Sequence, residues 1–266
     1  MDRKTWLFPA TLLLALAACD GSTTGADGGS VAVRFATSPA ARASLAPSAA
    51  AAPGFSHAGT SDVLAITGSN GTLRIEDIRL IVSELELEQA EGSCAGEDDG
   101  GDDCEEFESG PFLVDLPLSG GAVTLATDRI APGSYDELDF EVENLESDDD
   151  DDTGERQAIQ ALLAQLRGVY PGFPSRASMV AHGTFTPAGS TTAQPFTVYF
   201  NAEIEVEMDL SPPVTVPGTT ALTVEINPAL WFRDGAQVVN LAALDGRTIE
   251  FHSQLRDGIE EVDEID

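Results

Sequence analysis

Two short stretches of this chain alternate residue by residue between apolar and acidic side chains, "SELELE" over 83–88 and "AEIEVEMDL" over 202–210. Successive side chains of an extended backbone point to opposite faces, so a period of two reads as a strand. The first strand then carries Glu84, Glu86 and Glu88 on one face, with Leu85 and Leu87 on the other. The second sets Glu203, Glu205, Glu207 and Asp209 against Ile204, Val206, Met208 and Leu210. Such a pattern demands a sheet with one dry side and one carboxylate side. Like charges directly opposite one another weaken a sheet. If the two strands are neighbours, the sheet bears a carboxylate ladder that needs cations or salt. If they lie in different sheets, each acidic row is only a solvated face. The sequence leaves both arrangements open.

Most of the chain carries β signals. "VAVRFAT" (31–37) places Val31, Val33 and Phe35 on one face. "VLAITGSNGTLRIEDI" (63–78) reads as a hairpin with Asn70-Gly71 at its turn, because a type I′ turn needs positive φ at both central residues. The same residues spell Asn-Gly-Thr, a glycosylation acceptor pattern, and the turn is the preferred reading. Further strands are expected in "IRLIVSELELEQ", "FESGPFLVDLP", "AVTLAT", "SYDELDFEVENL", "ASMVAHGTFT", "QPFTVYFNAEIEVEMDL", "TALTVEINPALWF" and "RTIEFHSQ". One helix interrupts them. In "DDTGERQAIQALLAQLRG" (151–168) the residues Ile159, Leu162, Leu163 and Leu166 form one apolar stripe, Asp152 and Glu155 a capping box, and Gly168 the stop. The 266 residues suffice for one large β domain or two small ones. The expected class is an all-β, mainly antiparallel sandwich with one inserted amphipathic α-helix.

Charge excludes some partners. Against 46 acidic residues stand 13 basic ones, a formal net charge of −33, which repels nucleic acid and anionic membrane surfaces. A salt-adapted organism or a GC-rich genome would each produce this bias. Catalytic signatures are missing from the sequence: there is no Gly-x-Ser-x-Gly elbow, phosphate loop or dinucleotide fingerprint. His57, His182 and His252 are scattered, and Trp231 and Phe232 read as a core cluster, with a sugar-stacking platform as the alternative. Two acidic runs, "EDDGGDDCEE" (97–106) and "ESDDDDDTGE" (146–155), suit calcium, a hard cation that prefers oxygen ligands. In the second, Asp149, Asp151 and Thr153 take positions one, three and five of an EF-hand-like loop, with Glu155 beside them. Position twelve is Gln160, which cannot close such a loop. The alternative is a solvated loop whose aspartates favour the helix N-terminus.

The beginning of the chain gives location. Arg3 and Lys4 precede the apolar "TWLFPATLLLALAA", which is too short to span a bilayer as a mature helix. Leu16-Ala17-Ala18-Cys19 at its end resembles the lipobox of bacterial lipoproteins. That resemblance implies cleavage before Cys19 and a lipid on its sulfur, with a second acyl source making the anchor stable. Residues 1–18 are then a signal peptide and 19–30 a flexible tether. Removing Asp2, Arg3 and Lys4, a sum of +1, leaves −34. Cys94 and Cys104 remain as an even pair around a Gly- and Asp-rich turn and are expected to form a disulfide worth about 2–3 kcal/mol. A zinc site is the alternative, and it lacks two further soft ligands.

"LRIEDIRLIVSELELE", "FLVDLP" and "IAPGSYDELDFEVENLE", with the turn Pro132-Gly133-Ser134-Tyr135, resemble a group of bacterial lipoproteins with prealbumin-like β-sandwich domains. The resemblance implies an Ig- or prealbumin-like sandwich and a non-enzymatic envelope module, and it carries no functional residues across. The sandwich is expected over 31–254, as one unit or as halves 31–147 and 176–254 joined by the acidic loop and helix 148–168. Residues 255–266 then form an acidic tail. The chain thus reads as a lipid-anchored cell-envelope protein whose sandwich binds or scaffolds an envelope protein or glycan, with calcium as its stabilising ion. The alternatives are a carboxylate-dependent hydrolase acting on glycans and a periplasmic metal-handling protein.

Overall fold

The computed structural model describes residues 29–37, 63–90, 107–145, 153–202, 204–218, 221–251 and 259–265. Before the helix the strands are β1 (Gly29–Thr37), β2 (Leu64–Gly68), β3 (Gly71–Val82), β4 (Glu84–Gln89), β5 (Phe107–Ser109), β6 (Phe112–Asp115), β7 (Gly121–Ile130) and β8 (Gly133–Val142). Helix α1 spans Thr153–Val169. After it come β9 (Met179–Pro187), β10 (Gln194–Asn201), β11 (Ile204–Val216), β12 (Ala221–Ile226), the short helix α2 (Pro228–Trp231), β13 (Arg233–Asp234), β14 (Gln237–Val238), β15 (Thr248–Glu250) and β16 (Ile259–Ile265). Strand β16 lies inside the segment read from the sequence as an acidic tail.

The first sheet runs β16-β12-β1-β7, the second β15-β10-β9-β3-β2 with β6 also on β3, and the third β11-β8-β4-β5. Each pairs a strand from before α1 with one from after it: β1 with β12, β3 with β9, β8 with β11. All three sheets contribute to one apolar core, in which Phe35 of the first sheet meets Phe140 of the third at 5.0 Å. The fold is the all-β, sandwich-like one expected. Val31, Val33 and Phe35 are all buried, as their alternation requires.

The chain passes directly between the second and third sheets from β3 into β4, from β5 into β6 and from β10 into β11. Strand β3 passes into β4 through Ser83, whose N–H donates to the carbonyl of Glu141 on β8 (3.0 Å). Helix α1 covers the outer face of the second sheet. Its stripe of Ile159, Leu162, Leu163 and Leu166 forms a separate apolar cluster with Ile81, Val180 and Tyr199. The helix runs through Gly168 and ends before Pro171, which disfavours helical backbone at the residue preceding it. Beside the helix end the Tyr170 hydroxyl donates to Asp77. Buried Arg79 pairs with Asp77 (3.1 Å) and Asp115 (3.5 Å), its guanidinium 5.9 Å from the Tyr170 ring centre.

Two local features shift by a residue or more from the sequence expectation. The β2–β3 hairpin exists, with Gly68 opposite Gly71, so Ser69 and Asn70 occupy the turn. Gly71 has φ +154°, and a Cβ there would collide with the Thr186 carbonyl. The Asn70 amide docks on β14, donating to the Val238 carbonyl (2.8 Å) and accepting from the Val238 N–H (2.9 Å). Its nitrogen is committed to holding the turn. The apolar run over 194–210 is split at Ala202 into β10 and β11, which belong to different sheets.

Candidate functional site

The third sheet is where the two alternating stretches meet a third. Strand β8 lies between β4 and β11 and carries its own alternation, Glu137-Leu138-Asp139-Phe140-Glu141. The register aligns the acids in rows. Glu84, Glu141 and Glu205 form one, and Glu88, Glu137 and Asp209 another. Between them run Glu108, Glu86, Asp139 and Glu207, one from each strand. None of the four strands contains a Lys, Arg or His. The carboxylate ladder is therefore present, with β8 as its middle rung.

The opposite face explains why the sheet tolerates this. Leu85, Leu87, Leu138, Phe140, Val142, Ile204 and Val206 are buried in the main core. Burying each contributes about 1.5–3 kcal/mol, whereas a cross-strand pair is worth about 0.2–1 kcal/mol. Apolar burial wins, and the acids are carried along with it.

The electrostatic consequence is concentrated at the centre. Burial first, and then the charges of Glu137, Glu88, Glu207 and Glu86, push Asp139 up to about 7. Its Oδ1 is buried and has no hydrogen-bond partner among the described residues. Burial, a hydrogen bond with Glu86 and the charges of Glu86, Glu108 and Glu141 push Glu84 up to about 7 as well. Glu137 and Glu141 rise for the same reasons, burial leading in each. Each of these groups resists ionisation first because it is drawn away from water and then because its neighbours are already charged.

Among the described residues two sets of carboxylates come close enough to share an ion: Glu84, Glu86 and Glu108, and Glu86, Glu88 and Asp139, each with ligand atoms within 4.8 Å of one another. Glu86 belongs to both. Calcium takes six to eight oxygens in flexible geometry, and five neighbouring carboxylates supply enough of them. Sequence reasoning singled out Glu84, Glu86, Glu88 and the β11 acids and missed Glu137, Asp139, Glu141 and Glu108. The β8 alternation was visible, but its place between the other two strands was not.

Of the residues singled out by sequence, Cys19, Cys94, Cys104, Asp149, Asp151, His57, His252 and Glu203 lie outside the described residues. Thr153 and Glu155 fall in the first turn of α1. His182 sits on β9 with its Nδ1 3.0 Å from the Thr197 hydroxyl. Trp231 and Phe232 are buried among Phe200 and Phe251, a core cluster with no ring face open to a sugar. The Pro-Gly-x-Tyr turn has a physical role: buried Tyr135 donates its hydroxyl back to the Ala131 carbonyl (3.0 Å) and accepts from Gln89 (3.2 Å), closing the corner that starts β8. Among the described residues no helix is long and apolar enough to cross a membrane. No family model, curated protein or solved structure matches this chain.

Proposed function

We propose that this chain is a lipid-anchored cell-envelope module, non-catalytic, whose β-sandwich binds calcium on the acidic face of its third sheet. The observation that carries the reading is the register that aligns three strands of carboxylates with no basic residue among them. Bound calcium would replace mutual repulsion with shared coordination and so tie β4, β8 and β11 together. The anchor rests on the lipobox around Cys19 and places the module at the envelope, where a protein or glycan partner would meet it. Less supports a hydrolase. The groove that holds the close pair Glu84 and Glu108 has no aromatic residue in its lining to seat a sugar.

The test is thermal unfolding of residues 22–266 in chelator, in millimolar calcium and in sodium chloride of matched ionic strength. A ligand at a hundred times its Kd adds about 2.7 kcal/mol, and for a chain of this size that is about 5–10 °C. A saturating calcium rise of that order, lost in Glu86→Gln, is the expected result. An equal, unsaturating rise in sodium chloride would reduce the face to a screened surface. The anchor is tested separately: Cys19→Ser should move the protein from the membrane fraction to the soluble one.

A further inference from the structure

The turn between β2 and β3 holds the chain's single Asn-Gly pair, Asn70-Gly71. An asparagine before glycine is the pair most prone to lose its side-chain amide, because no Cβ shields the backbone nitrogen that attacks it. In the fold this pair is pinned on every side. The Asn70 side-chain amide donates to the Val238 carbonyl (2.8 Å) and accepts from the Val238 N–H (2.9 Å), standing in for a strand's peptide group on β14. The Asn70 carbonyl accepts from the Ala188 N–H (2.8 Å), and the Ser69 N–H donates to the Ala236 carbonyl (2.8 Å). Attack on Asn70 Cγ by the Gly71 nitrogen requires the side chain to swing away from β14, which breaks both bonds to Val238. The dependence also runs the other way. Strands β13 and β14 have two residues each, too few to hold a hairpin in water without docking. Asn70 and Ser69 supply that docking, and Val238 is thereby buried in the main core.

We propose that Asn70 is a deamidation site kept dormant by its docking on Val238, and that its conversion releases the β13–β14 hairpin from the β2–β3 turn. The Gly71 nitrogen gives its proton to hydroxide and bonds to Asn70 Cγ. The Cγ–Nδ2 bond breaks, and Nδ2 takes a proton from water and leaves as ammonia, closing a cyclic imide. Water then opens the imide at either carbonyl, giving aspartate or isoaspartate. The net change is one water taken up and one ammonia released, with no oxidation or reduction. The product still accepts from the Val238 N–H. Where Nδ2 stood, however, a carboxylate oxygen now faces the Val238 carbonyl with no proton to offer, and repulsion replaces a hydrogen bond. The inference is independent of the calcium reading, since the turn belongs to the second sheet and no residue of the acidic rows takes part.

The test is incubation of the full chain in mildly alkaline buffer, folded and in urea, with the aspartate and isoaspartate formed at position 70 counted by peptide mass mapping. The folded chain should react roughly thirtyfold more slowly, the weight of two hydrogen bonds that must open first. Gly235→Val provides the gate. Gly235 lies in the β13–β14 turn with φ +58°, and a Cβ there meets nothing, so the substitution strains the hairpin alone. It should raise the folded rate about fivefold. Asn70→Asp tests the consequence: amide exchange at Ser69, Val238 and Val239 should quicken about tenfold, with the amides of β9 unchanged. Any of three outcomes would overturn the proposal: equal rates in the folded chain and in urea, an unchanged rate in Gly235→Val, or unchanged exchange of the hairpin in Asn70→Asp.

Discussion

The outer faces of the second and third sheets begin from the same strand path and reach opposite solutions. On the second sheet α1 covers the surface, and the acids beside it are paired with a cation, Arg79 lying between Asp77 and Asp115 with the Tyr170 ring over it. On the third sheet no helix among the described residues packs on the acidic face, and the strands place acid beside acid across the width of the sheet. Twelve arginines are present in the chain, so the contrast is one of placement. The second sheet is self-sufficient, and its stability belongs to the protein alone. The third leaves part of its stability to whatever ions and protons the solution supplies.

That contrast can be tested from both sides. The largest effect belongs to the covered face: Arg79→Met leaves Asp77 without its cation and should cost about 3–5 kcal/mol in urea unfolding, in low or high salt alike. A strong salt dependence of that loss would erase the distinction. Next comes pH. Asp139 and Glu84 hold their protons up to about 7 when folded, so between the ordinary carboxylate range and pH 7 the folded state binds more protons than the unfolded one. Stability should therefore fall as pH rises from about 4.5 to 7 and level off above, by about 1–2 kcal/mol once solvent screening is allowed for. Denaturant midpoints across that range measure it, and a rise instead would contradict the crowding of carboxylates. Above pH 8, where Asp139 is ionised, Asp139→Asn removes the central charge and should stabilise the chain by about 1 kcal/mol at low ionic strength. The gain should shrink in 1 M salt, where the screening length is about 3 Å and only the part due to burial remains. The smallest change sharpens the comparison most directly: Glu207→Lys places a cation opposite Asp139 and should contribute about 0.2–1 kcal/mol, detectable as a shifted melting temperature in low salt.

Much of this fold was legible because alternation is a local property. The apolar sides of β1, β4 and β11 and the stripe of α1 could be named residue by residue from the sequence. What escaped was set by partners distant in the chain. The turn sits at Ser69 and Asn70 because the Asn70 amide binds the backbone of Val238, 168 residues away. The run from Gln194 to Leu210 is cut at Ala202 because its halves pair in different sheets, β10 with β9 and β11 with β8. The candidate site was half visible for the same reason. The acids of β4 and β11 announced themselves, while the register that sets those of β8 between them is a tertiary fact. Helix termination was a competition between two local signals, in which Pro171 prevailed over Gly168.

The passage of β3 into β4 through Ser83 has a mechanical meaning. A strand shared by two sheets is a hinge that cannot be opened on one side without loading the other. The amides of Ile81 and Ser83 are bonded to Ser178 and Glu141, one anchor in the helix-covered half and one in the acidic half. The two halves should therefore open to solvent as one cooperative unit on the hydrogen-exchange timescale. Any ligand that steadies the acidic rows then slows exchange beneath a helix it never touches.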